Sequence, residues 1–200
     1  MLPRPSPHHL SKPMTTLRRF FAPPEDWLGT QVRLPPEETH HLLRVVRLPV
    51  GSRVAVCDGQ GRVAAARVGA YRDGNVVLEV EEDLPAATES PLRIILGLGL
   101  AKGEVMDQVV RQAAELGLSG FVPFVSGYSE KITPDRAARR LARWRRQVRE
   151  SLKSSLRTKL PDIFPVEEFS RVLEGPEELK LLFYEGEGAQ GLGGTAAGGG

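Results

Sequence analysis

The chain has little of what secreted, membrane or metal-cluster proteins require. Its single cysteine, Cys57, excludes an internal disulfide and a cysteine-cluster metal site, which fits a reducing cytoplasm. The longest apolar run, 94–101, contains two glycines and is far shorter than the roughly 18 residues of a membrane span. Residues 1–16 hold four prolines and no apolar stretch, so we expect a disordered leader and no secretory signal peptide.

Familiar catalytic arrangements are also missing. No Ser-His-Asp triad or pair of carboxylates stands out in the sequence. His40 and His41 are neighbours, and neighbouring side chains point in different directions on a helix, so they are not expected to bind one metal ion. We therefore predict no metal site.

The charge of the chain is unevenly distributed. The net charge is only +2, yet residues 131–160 contain eleven Lys or Arg against Asp135 and Glu150, a local net charge of +9. Residues 1–72 are also basic, with eleven Lys or Arg against five acids. Two separated basic regions predict a two-part grip on a polyanion.

The first half of the chain is predicted to be a small β domain. Short β-branched segments at 31–34, 53–56, 62–68 and 75–80 are separated by turn formers, which is typical of a small antiparallel barrel or sheet. One helix is predicted at 36–48. The acidic, proline-containing run 81–91 predicts a linker, and with it a boundary between two domains.

The second half is predicted to be an α/β domain. The apolar segment 92–100, a helix at 104–116 and the apolar segment 121–125 follow the order of a parallel βαβ unit. Gly117 is expected to end that helix in a left-handed conformation. A long helix at 134–154 and a third strand at 180–184 are predicted to follow.

The long helix combines an apolar stripe with a basic surface. The stripe predicted to face the core is Ala137, Leu141, Trp144, Val148 and Leu152. Arginines occupy most of the remaining circumference, where like charges three or four residues apart repel one another. A polyphosphate partner would remove that repulsion, so nucleic-acid contact is favoured over an ordinary solvated face.

A glycine pattern near the end of the chain has a weaker interpretation. Residues 186–191 match G-x-G-x-x-G, but the residues that follow are a poor helix and no acid comes about 20 residues later, as a dinucleotide site requires. A surface loop is the better prediction.

Several segments together resemble a known family. They are RRFF at 18–21, HHLLRVVRL at 40–48, VGS at 50–52, KGEVMD at 102–107, AELG at 114–117, VP at 122–123, and Trp144. In this order and spacing they resemble the bacterial 16S ribosomal RNA uridine-N3 methyltransferases, which belong to the knotted SPOUT superfamily.

The resemblance implies a fold and an activity. Residues 17–84 would form a PUA-like β-barrel that helps to hold ribosomal RNA. Residues 90–200 would belong to an α/β-knot domain that binds S-adenosylmethionine and forms a homodimer. The reaction would methylate N3 of a uridine in the 16S rRNA of the small subunit. It needs no triad, because the sulfonium of the cofactor is already a strong electrophile.

The resemblance also implies site residues. Of the family's Glu-Gln-small-Gly-Arg motif, which corresponds to residues 153–157, the arginine is kept and Leu156 replaces the glycine. Arg157 is thus the predicted catalytic residue, and Arg157 or Lys102 would stabilise the anion formed when uridine N3 loses its proton. Phe183, Tyr184 and Glu185 would begin the cofactor pocket. The predicted RNA-binding residues are Arg18, Arg19, His41, Arg44, Arg47, Lys102, Arg139, Arg143, Arg146 and Arg157.

Two functions stay open at this point. The family's later glycine-proline-glutamate-glycine-glycine loop and its arginine-rich leucine segment do not occur before Gly200, so we expect this chain to lack most of the knot. The first function is an S-adenosylmethionine-dependent rRNA methyltransferase. The second is a non-catalytic rRNA-binding protein that uses the barrel and the basic helix without a cofactor.

Overall fold

A computed structural model of the chain describes residues 17–85 and 89–183. The predicted leader, the glycine pattern at 186–191, Tyr184 and Glu185 lie outside these residues. No helix in the described ranges is both long and apolar enough to span a membrane. The elements fall into two sheets, one before and one after residues 84–94. The predicted domain limits, 17–84 and 90–200, stay predictions.

The first sheet has six strands. In chain order they are β1 (Arg19–Phe21), β2 (Trp27–Leu28), β3 (Gln31–Arg33), β4 (Arg53–Cys57), β5 (Val63–Arg72) and β6 (Asn75–Asp83), with a short 3₁₀ helix, Pro24–Asp26, before β2. The spatial order is β1-β4-β5-β6-β3-β2, and every pair is antiparallel except β1 with β4. The four predicted strands are confirmed, whereas β1 and β2 were not predicted.

The first sheet is open and has β1 and β2 as its edge strands, whereas a closed barrel was predicted. Within the described residues β1 and β2 do not pair, since β2 is two residues long and offers almost no ladder. One side-chain hydrogen bond connects the two edge strands: the indole Nε1 of Trp27 in β2 donates to the carbonyl oxygen of Ala22, directly after β1, at 2.9 Å. The hydrogen-bonded strands therefore do not close into a barrel.

The helix of this domain is shorter than predicted and changes its winding. It begins as α1 (Pro36–His40) and continues as a π-helix, His41–Val46. Arg47 then adopts a left-handed conformation, with φ of 57°, and its N–H donates to the carbonyl of Leu42. The predicted end at residue 48 was therefore wrong by two residues, since a left-handed residue cannot continue a right-handed helix.

The second sheet is parallel. Its strands are β7 (Ile95–Gly99), β8 (Gly120–Val125), β9 (Asp162–Ile163) and β10 (Glu167–Glu168), and its helices are α2 (Val105–Leu116), α3 (Pro134–Ser155) and α4 (Phe169–Leu173). Strands β7, β9 and β10 all pair with β8, and α2 crosses between β7 and β8 as predicted. Gly117 ends α2 with φ of 81°, which confirms the predicted cap.

The predicted third strand was wrong over residues 180–183. These residues form no strand, and their side chains are exposed. The position beside β8 is occupied instead by β9 and β10, which lie on either side of Pro165. Proline has no N–H to donate to a ladder, so this edge is split into two pieces too short to be recognised from sequence.

Helix α3 packs as predicted. Trp144, Val148 and Leu152 are buried, and Trp144 is completely inaccessible. Its ring meets Phe121 of β8 edge to face, with centroids 5.8 Å apart. The apolar stripe thus fixes α3 on the second sheet, and Arg136, Arg139, Arg143 and Arg146 are exposed.

A shared apolar cluster joins the two sheets. Leu152 of α3 packs with Phe21, Ala55, Cys57 and Val63 of the first sheet. Burial raises the pKa of the Cys57 thiol to about 12, so this cysteine is an unreactive core residue. Backbone bonds reinforce the contact, since the N–H of Gly61 donates to the Thr158 carbonyl at 3.0 Å and that of Leu160 donates to Gly59 at 2.8 Å.

Candidate nucleic-acid interface

An open cleft of about 520 Å³ lies between the first sheet and the carboxyl end of α3. One side comes from the start of β1 and from the π-helix, and the other comes from the last turns of α3. The residues that line it are Leu17, Arg18, Arg19, Phe20, His41, Val46, Glu150, Lys153, Ser154 and Leu156. Three residues predicted to bind RNA, namely Arg18, Arg19 and His41, are thus brought to one place.

The remaining predicted RNA contacts extend from this cleft. Arg44 and Arg47 are exposed on and just after the π-helix. Arg139, Arg143 and Arg146 are exposed on α3, whose 22 residues span about 33 Å. Lys102 is exposed near the opposite end of α3. There its charge, with those of Arg136 and Arg140, lowers the pKa of Glu130. The basic surface therefore runs along the whole helix.

Part of the charge on α3 is neutralised inside the protein. Glu130 accepts one hydrogen bond from Arg140 and forms an ion pair with Arg136, both at 2.9 Å. The Arg140 bond, with the charges of Arg140, Arg136 and Lys102, holds the pKa of Glu130 below its usual value. On the next turns, Asp107 of α2 pairs with Arg143 at 2.7 Å. The acids responsible lie outside α3, so a charge count along the helix alone overestimated its free cations.

Asp107 also fixes the orientation of α3. Its Oδ1 accepts from the indole Nε1 of Trp144 and from Arg143, both at 2.7 Å, and its backbone carbonyl accepts from Gln147 at 3.0 Å. Arg139 and Arg146, in contrast, pair with no carboxylate among the described residues. These two remain available to a polyanion.

An ion pair between the domains forms the floor beside the cleft. Lys153 Nζ donates to Glu38 at 2.6 Å and to Glu150 at 3.0 Å. The side chains of Lys153 and Glu38 are only 10% and 9% exposed. Burial opposes the charged ammonium, but the two carboxylates outweigh it and raise the pKa of Lys153. Sequence reasoning missed Glu38, because 115 residues separate the partners and nothing local marks the pair.

Arg157 lies at the amino ends of the parallel strands. Its guanidinium pairs with Glu89 and lies against the carbonyl of Gly117, three residues before β8. Glu89 also accepts from the N–H of Thr158 at 2.7 Å and from its hydroxyl at 2.9 Å. Ligands of open α/β sheets bind at the carboxyl ends of the strands. The catalytic role of Arg157 stays a prediction, and its contacts are those of a residue that anchors the linker.

Replacing Glu89 with glutamine should cost about 2 kcal/mol of unfolding free energy at neutral pH, because Arg157 would lose its partner at a largely buried site. Burial alone would raise the pKa of Glu89, but the Thr158 bonds and the Arg157 charge outweigh it and lower the pKa. Because folding lowers the pKa of Glu89, its carboxylate stabilises the folded state at pH values above its unfolded-state pKa, about 4.3. This contribution disappears as the pH falls through the folded-state pKa.

Urea titrations between pH 3 and pH 7 would test this effect. Wild type and Glu89→Gln should differ at neutral pH and converge in acid. The exposed Glu115→Gln is the matched control and should stay within about 0.5 kcal/mol of wild type. A constant difference between Glu89→Gln and wild type at every pH would contradict the assignment.

The predicted cofactor residues lie mostly outside the described ranges. Phe183 is 76% exposed, whereas Tyr184 and Glu185 are outside the described residues. In β7, a Cβ on Gly97 would meet Val172 at 3.1 Å, and one on Gly99 would meet Phe124 at 3.4 Å, so protein side chains already fill that space. The described residues do not by themselves enclose a site for S-adenosylmethionine, and the three residues stay predictions. Within the same residues, no group of three or more His, Cys, Asp or Glu could hold a metal ion.

The chain is similar to proteins of a single family along both domains. Residues 34–81 match the RNA methyltransferase PUA domain, and residues 88–196 match the RNA methyltransferase domain. Two curated relatives are named ribosomal RNA small subunit methyltransferase E. The Bacillus subtilis protein is 26% identical over 78% of this chain and 62% of its own length, and the Synechocystis protein is 31% identical over 82% and 54%. The chain therefore spans between half and two thirds of these relatives.

Solved structures agree with the sequence matches. A Legionella pneumophila protein solved in complex with the cofactor S-adenosylmethionine is 25% identical, with a TM-score of 0.78 over 85% of this chain and 71% of that chain. Ribosomal RNA small subunit methyltransferase E from Neisseria gonorrhoeae, bound to S-adenosyl methionine, is 27% identical, with a TM-score of 0.72 over 81% and 66%. Because the methyltransferase match alone covers more than half of its residues, this chain belongs to the RNA methyltransferase family.

Proposed function

We propose that this protein serves the S-adenosylmethionine-dependent methylation of N3 of a uridine in the 16S rRNA of the small ribosomal subunit, in the cytoplasm. The observation that carries the proposal is that both family matches coincide with the two folded parts, and that basic residues from both parts converge on one cleft. A grip shared between two domains suits a folded RNA, whose phosphates lie on several sides.

Of the two cations proposed to stabilise the uridine anion, Lys102 has the better position. It follows β7 at the carboxyl ends of the parallel strands, and its side chain is exposed. Arg157 is at the amino ends and is engaged by Glu89. Because ligands approach such sheets at the carboxyl ends, Lys102 is the stronger candidate to meet the target base. S-adenosylmethionine, when bound, supplies the electrophilic methyl group.

A homodimer belongs to the same proposal. Leu179, Leu181, Leu182 and Phe183 are large apolar residues that are between 47% and 76% exposed. Contiguous exposed apolar side chains favour a protein contact over a solvated surface.

The non-catalytic alternative is favoured by one specific observation. The exposed Phe183 and the absence of a strand at 180–183 leave these residues without an enclosed cofactor site. In that case the two domains would bind rRNA and methylate nothing.

One experiment separates the two functions. The chain is incubated with small subunits that lack the modification and with labelled S-adenosylmethionine, and the 16S rRNA is digested and analysed by mass spectrometry. 3-Methyluridine at a single position supports the proposal, while a methyl group on another atom overturns the N3 assignment. Calorimetry measures whether the chain binds S-adenosylmethionine. RNA titrations at increasing salt concentration measure its affinity for RNA. Salt-sensitive RNA binding without cofactor binding or methyl transfer overturns catalysis and supports the alternative.

A further inference from the structure

Two irregular pieces of backbone border the interdomain cleft. Among the described residues, three that are not glycine have a positive φ, and Asp73 is explained by its hairpin turn. The other two are Arg47, directly after the cleft residue Val46, and Leu156, which lines the cleft with φ of 61°. Both are the residues at which a helix ends, which is a common place for a left-handed conformation. The less common feature is the π-helix, which supplies His41 and Val46 to the cleft, and such windings are frequent at functional sites.

Leu156 is especially informative. It ends α3 in the left-handed conformation, which glycine adopts without strain and leucine does not. Its side chain lines the cleft together with Leu17 and Val46. These three residues give the cleft an apolar part beside its charged part.

The polar side of the cleft carries an excess of positive charge. Arg18 and Arg19 line it, whereas the charge of Lys153 is neutralised by Glu150 and by the buried Glu38. Arg19 is held in place because its Nη1 donates to the carbonyl oxygen of Arg157 at 2.7 Å. Arg18 is exposed and pairs with no described carboxylate. Fixed and free arginines beside each other suit a phosphate group.

His41 supplies an aromatic edge to the same cleft. Its ring is half-buried and meets Phe20 edge to face, with centroids 6.1 Å apart. Unpaired RNA bases are recognised by stacking on aromatic or apolar side chains, whereas duplex RNA hides them. The cleft volume of about 520 Å³ lies within the range of small-ligand sites.

We propose that this cleft binds one unpaired nucleotide of the RNA, with its phosphate on Arg18 and Arg19 and its base against His41, Val46 and Leu156. The inference rests on the proposed function, since it presumes an RNA partner. The cleft lies at the end of α3 that is opposite Lys102, about 30 Å away along the helix. It is therefore an RNA subsite remote from the target uridine, and it selects a substrate with a single-stranded segment at that distance.

Binding titrations with two RNA hairpins test the proposal. One hairpin carries a five-nucleotide single-stranded extension, and the other is fully paired with the same number of phosphates. We expect the 200-residue chain to bind the extended hairpin about tenfold more tightly, as one stacked base would allow. Counterion release alone would slightly favour the duplex, so charge cannot produce this preference.

Substitutions in the cleft test whether it causes the preference for the extended hairpin. Arg18→Gln and Leu156→Gly should bring the ratio of the two affinities close to one, and Leu156→Gly should fold well because glycine tolerates this conformation. Arg139→Gln removes the same charge from the exposed surface of α3 and should weaken both hairpins equally, leaving the ratio unchanged.

The outcomes are distinct. Equal binding of both hairpins by the wild type overturns the cleft proposal and leaves the proposed function intact. Failure to bind either hairpin overturns both. A preference that persists when the extension is abasic overturns the placement of a base in the cleft.

Discussion

Replacing Lys153 with methionine should lower the free energy of unfolding by about 3 kcal/mol, because it leaves the carboxylate of Glu38 buried without its partner. Glu38 also accepts a hydrogen bond from the N–H of Phe21 at 3.3 Å, so its movement would disturb β1. The raised pKa of Lys153 means that this stabilisation is complete below the unfolded-state pKa of about 10.4 and is lost only as the pH rises through the folded-state value. Urea unfolding at neutral pH measures the difference.

Two further variants make the Lys153 result interpretable. In the double variant Lys153→Met and Glu38→Gln, the unpaired buried carboxylate is replaced by an amide whose oxygen can still accept from the Phe21 N–H. Much of the lost unfolding free energy should therefore return. Lys159→Met removes a charge from an exposed side chain and should change stability by less than about 0.5 kcal/mol. If Lys153→Met lowers the free energy of unfolding no more than Lys159→Met does, the ion pair of Lys153 with Glu38 is solvated by water.

Replacing Trp144 with alanine should cost about 4 kcal/mol, the largest loss we expect from a single substitution. The ring is completely buried, it packs on Phe121, and its N–H donates to Asp107 at 2.7 Å. Truncation therefore creates a cavity between α3 and β8 and leaves Asp107 with only part of its hydrogen bonds. Far-UV circular dichroism in urea is the suitable measurement, because removing a tryptophan alters the fluorescence signal.

Trp144→Phe is the matched control. Phenylalanine keeps an aromatic contact with Phe121 but loses the donor to Asp107, so the loss should be clearly smaller than for alanine. The folded fraction of each variant should still bind RNA, because Trp144 faces the core while Arg139 and Arg146 face outward. RNA affinity that falls while the protein stays folded would instead place Trp144 in direct contact with RNA.

Local patterns in the sequence predicted much of the fold. The apolar spacing identified α3 and the inward position of Trp144, and the turn formers located β4, β5 and β6. The excess of positive charge in residues 131–160 identified the basic surface. These features depend on residues a few positions apart, so periodicity and composition reveal them.

Elements built from very few residues could not be predicted in the same way. Strands β9 and β10 contain two residues each, and they exist because β8 offers its edge as a partner. The segment 180–184 had the stronger strand composition, yet residues 180–183 pair with no strand in the structure. Strand propensity depends on the neighbouring strand more than on the segment itself.

By itself, the sequence determined which surfaces are basic, which face of α3 is buried and which family the chain resembles. Only the tertiary structure decided which cations are free: Glu38 lies 115 residues from Lys153, and Glu89 holds the predicted catalytic Arg157 from the linker. It also brought Arg18, His41 and Leu156 to one cleft. The physical reason is that a charge pairs with whatever carboxylate the fold brings within a few ångströms, and distance along the chain carries no information about that contact.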